Sequence, residues 1–149
     1  MTTAPARPVT SSGRWTGVLW SLRVLGAVLL AAIAAIHLDL WRDGYDAIDV
    51  IGPAFLLQAV LGFGGALLLL VAPPRLLVWA ALLGLLFAAG SLGALLQSTY
   101  GVLGLEPGLF DFVESDVAPW WQETFWVELA AVVVLTVLTA LAVRSRRRG

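Results

Sequence analysis

Four apolar stretches constrain this chain more than anything else in it. They run from about Leu19 to Leu40, Pro53 to Ala72, Leu76 to Ser98 and Pro119 to Val143. Each is close to the roughly 20 residues that cross a bilayer at about 1.5 Å of rise per residue. Hydrocarbon offers no water to backbone N–H and C=O groups, so a spanning segment is a helix or part of a closed barrel. Barrel strands would read as alternating segments of about ten residues, and the sequence has none. The expected fold is all-α: a polytopic membrane protein with a four-helix transmembrane bundle of up-down topology over residues 15–143. Pro53 and Pro119 fall in opening turns, where a missing N–H costs least, and Pro73-Pro74 ends the second span. Residues 1–14, rich in Thr, Pro, Ser and Ala, are expected as a disordered tail, and residues 144–149 as a basic one.

Composition narrows the function classes. Hydrophobic residues make up 60% of the 149 and charged residues only 13%, against about 25% charged in soluble domains. That excludes an ordinary soluble enzyme, a disordered chain and a nucleic-acid binder working through a basic surface. Cys is absent, and His37 and Met1 are single, which excludes disulfides, thiol chemistry, a bis-His haem and a Met-rich copper site. No Walker loop, nucleophile elbow, H-E-x-x-H or kinase signature occurs. The expectation is a non-enzymatic protein with no cofactor.

The net charge of −1 conceals an asymmetry. With the N-terminus inside, Arg7, Arg14, Arg23, Arg75, Arg144, Arg146, Arg147 and Arg148 fall on the cytoplasmic side and only Arg42 on the other. All ten acidic residues fall outside or in the outer leaflet, so +8 inside and +1 − 10 = −9 outside recover the −1. The positive-inside rule then places both termini in the cytoplasm, in a cell (inner) membrane. Arg23, a turn inside the first span, is expected to snorkel to the headgroups. Arg14 and Arg23 before an apolar run and Ala32-Ile33-Ala34 also fit a cleaved signal peptide. The apolar run continues to an anchoring Trp41, which favours a retained span.

Small residues at four-residue spacing (Ala27, Ala31 and Ala35; Gly62 and Ala66; Ala80, Gly84 and Ala88) suit close helix packing. They serve a bundle, a homodimer or docking on a larger membrane complex equally well, with membrane lipids as the other partners and no nucleic acid. In the loop between the third and fourth spans, Leu105, Leu109, Phe112 and Val113 form a helical apolar stripe. Two readings stay open: a short interfacial helix, or a loop whose Phe and Leu side chains dip into the headgroups.

Polar residues inside spans are expensive and so are functional candidates by default. His37, Gln58, Gln97 and Glu128 all lie in the outer half and form the candidate ligand-binding set. Glu128, nine positions after Pro119, sits roughly 13 Å down its helix, with Thr124 a turn above and Val132, Thr136 and Thr139 on nearly the same stripe. A His37–Glu128 hydrogen bond is conceivable between neighbouring first and fourth helices. His37 with Asp39, Asp43 and Glu123 is a poor metal set, because zinc wants three ligands of fixed geometry. No metal is expected.

The segments His37-Leu38-Asp39-Leu40-Trp41, Gly44-Tyr45 and Ile51-Gly52-Pro53-Ala54-Phe55-Leu56-Leu57-Gln58 resemble those of small four-span membrane proteins of actinobacteria. The resemblance covers about residues 37–58 and brings no activity with it. It implies that this region, with His37 and Gln58, is the distinctive part of the fold. The functional expectation is an integral membrane protein that binds a small or lipid-like ligand in an outward-facing polar cavity, or serves as an accessory subunit. The alternative is a small proton-coupled transporter using Glu128.

Overall fold

The computed structural model describes residues 11–102 and 104–147. It is all-helical: α1 (Ser11–Arg42), α2 (Ile51–Val71), α3 (Leu77–Tyr100) and α4 (Trp121–Arg146), with a short 3-10 turn at Tyr45–Ala47 between α1 and α2. These 4 helices are long and apolar enough to cross a membrane, and no strand occurs among the described residues. The first helix begins before the expected span, so residues 11–14 are helical rather than part of a disordered tail. Residues 1–10 lie outside the described residues. The fourth helix likewise carries Arg144 and Arg146 in its last turn, where cations favour the helix dipole.

Consecutive helices pack against each other, and α4 returns to α1. Their contacts run antiparallel: Arg23 meets Leu69 while Gly62 meets Ala34, and Gly84 meets Leu135 while Thr99 meets Trp121. The arginines of the α2–α3 turn and the α4 terminus thus gather at one end with Arg23, the basic end, and nearly all the carboxylates at the other. The small-residue seams are used unevenly. Gly62, Ala66, Ala80, Gly84 and Ala88 are buried, whereas Ala35 is exposed. Leu30, Ile33, Leu69, Leu135 and Leu138 fill the centre and have no solvent exposure.

Arg23 turns to the end of a neighbouring helix. It is buried, with Nε donating to the Leu69 carbonyl at 2.8 Å and Nη2 to those of Leu70 at 2.8 Å and Ala72 at 2.5 Å. The reason lies in Pro73-Pro74. In a continuing helix the carbonyls of Leu69 and Leu70 would accept from the N–H groups four residues on, and proline has none. The guanidinium supplies the missing donors across the α1–α2 interface, and the Trp20 ring lies 5.2 Å from its carbon.

Arg23→Met should cost about 2–4 kcal/mol by leaving buried carbonyls unpaired. The loss should shrink in a Pro73→Ala/Pro74→Ala background, where backbone N–H groups return; denaturant unfolding in detergent measures both arms. Packing gives a second test. A Cβ on Gly62 would lie 2.8 Å from that of Ala34 and 3.1 Å from the Leu30 carbonyl, while one on Gly64 meets nothing within 4 Å. Gly62→Ala should therefore destabilise by about 1–3 kcal/mol. Gly64→Ala should be neutral or stabilising, since Ala favours the helix by about 1 kcal/mol.

Candidate functional site

At the acidic end the helices part around a cavity of about 70 Å³. Its floor is Glu128, with no solvent exposure, and its roof is the loop between α3 and α4. The inward face of α4 reads Thr124, Glu128, Ala131, Leu135, Leu138 and Ala142, all buried. Those steps of four and three average 3.6 residues, the α-helical repeat, so the stripe passes Ala131 and Leu135 rather than Val132 and Thr136. Thr136 is exposed and its hydroxyl bonds back to the Val132 carbonyl at 2.7 Å.

Glu128 is tied to two other helices. Gln58 Nε2 of α2 donates to Ser91 Oγ of α3, and that hydroxyl donates to Glu128 Oε1. Two buried atoms of the cavity wall have no hydrogen-bond partner among the described residues: Glu128 Oε2 and Thr124 Oγ1, on a residue only 4% exposed. They lie one turn apart on the same face of α4. Buried polar atoms are almost always satisfied, so an adjacent orphaned pair on a cavity wall calls for an explanation.

His37 also lines the cavity, but it does not bond to Glu128. Its Nδ1–H donates to the Ile33 carbonyl one turn back at 2.8 Å, which fixes the ring and leaves Nε2 as its remaining polar atom. The ring is positioned by a ladder of aromatic contacts. His37 meets Phe55 edge-on with centroids 5.0 Å apart, Phe55 stacks on Tyr45 at 5.0 Å, and Tyr45 meets Phe112 at 5.9 Å. Gly52 makes the ladder possible: a Cβ there would sit 2.7 Å from the Asp46 carbonyl, so only glycine lets the 3-10 turn close onto the start of α2.

Gln97 is not part of this cavity. Its side chain splices the end of α3 to the following loop, donating to the carbonyls of Glu106 at 2.8 Å and Gly108 at 3.3 Å and accepting from Val102 N–H at 2.9 Å. The loop itself is irregular, with no helix across Leu105–Val113. Leu109 and Phe112 instead exchange backbone hydrogen bonds at 2.8 and 2.9 Å around Phe110 and Asp111, which take φ of 51° and 63°. This tight two-residue turn carries Phe112 to the cavity while leaving Phe110 exposed. Glu114 N–H donates to the Ser98 carbonyl at 3.1 Å, and Glu114 Oε2 accepts from the Tyr45 hydroxyl at 2.9 Å. The roof is therefore latched to both α3 and the α1–α2 connection.

Among the candidates read from the sequence, the structure brings together His37, Gln58 and Glu128 and separates Gln97. It adds Ser91, Thr124, Phe55, Phe112, Tyr45 and Glu114. Ser91 continues the small face of Ala80, Gly84 and Ala88, and a hydroxyl on such a face is a signal available in the sequence. The pairing of Tyr45 with Glu114, across 69 residues, is not. No group of three or more His, Asp or Glu side chains suited to a metal ion occurs among the described residues. Compared with known protein families, curated proteins and solved structures, the chain matches none.

Burial pushes the Tyr45 phenol above its ordinary range, and its bond to Glu114 and that carboxyl's charge push it the same way. A phenol raised in the folded state stabilises it fully below its ordinary pKa of about 10, and the contribution disappears as pH rises through the folded value. The latch should therefore hold at neutral pH, and Tyr45→Phe should cost about 1 kcal/mol there. As pH rises above about 10, the thermal midpoint in detergent should fall more steeply for the native protein than for Tyr45→Phe.

Proposed function

We propose that this chain is a four-span integral membrane protein with both termini in the cytoplasm, whose cavity at the outer end binds a small polar ligand. Support for the binding reading rests on one observation: the orphaned Glu128 Oε2 and Thr124 Oγ1 share the wall of a cavity whose other polar side chains, such as Ser91, Ser98 and Glu114, already have partners. The orientation follows from charge, since Arg75 and the arginines ending α4 occupy the end opposite nearly all the carboxylates. At about 70 Å³ the cavity is well below the roughly 300 Å³ of a drug-sized site. It suits a molecule of a few heavy atoms, or a few waters, and not a lipid chain.

Transport driven by protonation of Glu128 is the alternative, and packing favours binding over it. Leu30, Ile33, Leu135 and Leu138 are fully buried directly below the carboxyl and leave no polar continuation toward the basic end. A carrier would have to part that layer. An accessory role in a larger complex draws on the exposed apolar faces, such as Leu57, Val60 and Leu61 of α2, which acyl chains cover equally well.

Native mass spectrometry of the protein released from mild detergent should show a discrete small extra mass. Glu128→Gln and His37→Ala should lose it, while Gln97→Ala should keep it because that side chain only splices the loop. A bare mass throughout, or retention unchanged in Glu128→Gln, would remove the ligand site. A reporter fused to the C-terminus should be active only in the cytoplasm.

A further inference from the structure

We infer that the cavity's guest is a small organic ammonium ion, with Glu128 as its counter-charge and Phe55, Phe112 and Trp121 as its walls. This rests on the reading of the cavity as a ligand site and names the class of ligand.

The hydrogen bonds already made decide the polarity of what remains. Donors around the cavity are largely spent inside the protein. Ser91 Oγ–H goes to Glu128, His37 Nδ1–H to Ile33, Ser98 Oγ–H to Leu95, Tyr45 O–H to Glu114 and Trp121 Nε1–H to Thr99. Left over are chiefly acceptors: Glu128 Oε2, Thr124 Oγ1, His37 Nε2 and the Gln58 carbonyl oxygen. The exceptions are the Thr124 hydroxyl hydrogen and a second hydrogen on the Gln58 amide. A guest rich in donors and poor in acceptors fits that inventory, and an alkylammonium head brings up to three N–H groups.

Charge points the same way. The lining contains the carboxyls of Glu114 and Glu128 and no Arg or Lys. The nearest candidates for a counter-charge are engaged or distant, since Arg23 caps α2 at the other end of the bundle and Arg42 is exposed. Aromatic rings supply the third element, because their faces attract desolvated cations, above all organic ones. Phe55, Phe112 and Trp121 line the cavity from α2, the loop and α4. Outside the mouth, Asp39, Asp43, Asp46, Asp49, Asp116 and Glu123 create a negative field that concentrates cations there.

The test uses the full chain in detergent or nanodiscs, titrated calorimetrically at constant ionic strength with ethylammonium, acetamide, acetate and potassium. Ethylammonium should bind and the other probes should not compete. Glu128→Gln should weaken it by about 10- to 100-fold, the range for losing a charge-assisted hydrogen bond. Phe112→Leu leaves the buried polar chain untouched and should weaken it by about three- to tenfold, so the inference stays testable if Glu128→Gln misfolds. Acetamide or acetate binding as well as ethylammonium would overturn the cation while leaving the ligand site standing. Potassium binding equally well would overturn the organic class and the role of the aromatic walls. Absence of binding by every probe overturns the ammonium inference. If no native-mass ligand is found either, the ligand site itself falls.

Discussion

A carboxyl with no solvent exposure in the middle of an apolar helix bundle must be met by polar groups, and the way Glu128 is met organises half of this molecule. Its Oε1 is reached by Ser91, which is reached in turn by Gln58, so one short chain of hydrogen bonds joins α4, α3 and α2 at a single level. Apolar packing alone specifies helix register weakly, because acyl chains are as apolar as leucine and sliding loses little. A buried polar chain does not tolerate sliding: a shift of one residue on any of the three helices breaks it and leaves unpaired groups behind. Gly84 and Ala88 are buried on the face of α3 that carries Ser91, and a Cβ on Gly84 would lie 3.4 Å from Leu135 of α4, so this face lies close to its neighbour. What the chain leaves unsatisfied, one carboxyl oxygen, is then available to something that is not protein.

The basic end obeys the same rule through a different device. Two consecutive prolines make the tightest possible exit from α2, but they remove the donors for the carbonyls of Leu69 and Leu70. Arg23 replaces them from the neighbouring helix. Five N–H groups in a fixed fork can serve several carbonyls at once, which a lysine ammonium on a flexible stem does less well. The charge that reads from the sequence as a marker of the basic end is also a helix cap, and its long reach crosses to the last turn of α2.

Much of this was legible in the residues, and the misreadings have a common cause. Helix number followed from length and hydropathy, because backbone groups in hydrocarbon leave few other solutions. Glu128 stood out because a lone carboxylate in an apolar run is costly in any arrangement. By contrast, headgroups alone for Arg23 and a direct bond to Glu128 for His37 each assigned a polar side chain to its most obvious partner without counting the backbone groups that also needed one. Pro73-Pro74 announced orphaned carbonyls, and His37 had Ile33 within one turn. Of the two readings of the loop between α3 and α4, the short helix does not form, for a different reason. Its apolar spacing suits a helix, yet the backbone bonds Gly108 to Gln97 and Glu114 to Ser98 fold it back over the bundle, and a continuous helix could not make both. Gln97 carried the same polar signal as Gln58 but sits where α3 ends, so its amide met free loop carbonyls instead of another helix.

The two ends are therefore built for different purposes. The basic end has a short turn, an arginine cap, an open pocket of about 300 Å³ between that turn and the end of α4 and, above them, a fully buried layer of leucine and isoleucine. The acidic end has the long connection, the cavity, and non-glycine residues held at positive φ: Val50 before α2, Phe110 and Asp111 in the roof turn, and Trp120 before α4. Backbone in that region is costly for side chains with a Cβ, most of all for a β-branched valine, and persists only where surrounding contacts over-determine it. Here those contacts are the roof's own latches, Tyr45 to Glu114 and Trp121 to Thr99. The helices that position the Glu128 carboxyl are held separately, by the polar chain through Ser91 and Gln58 and, at the other end, by Arg23.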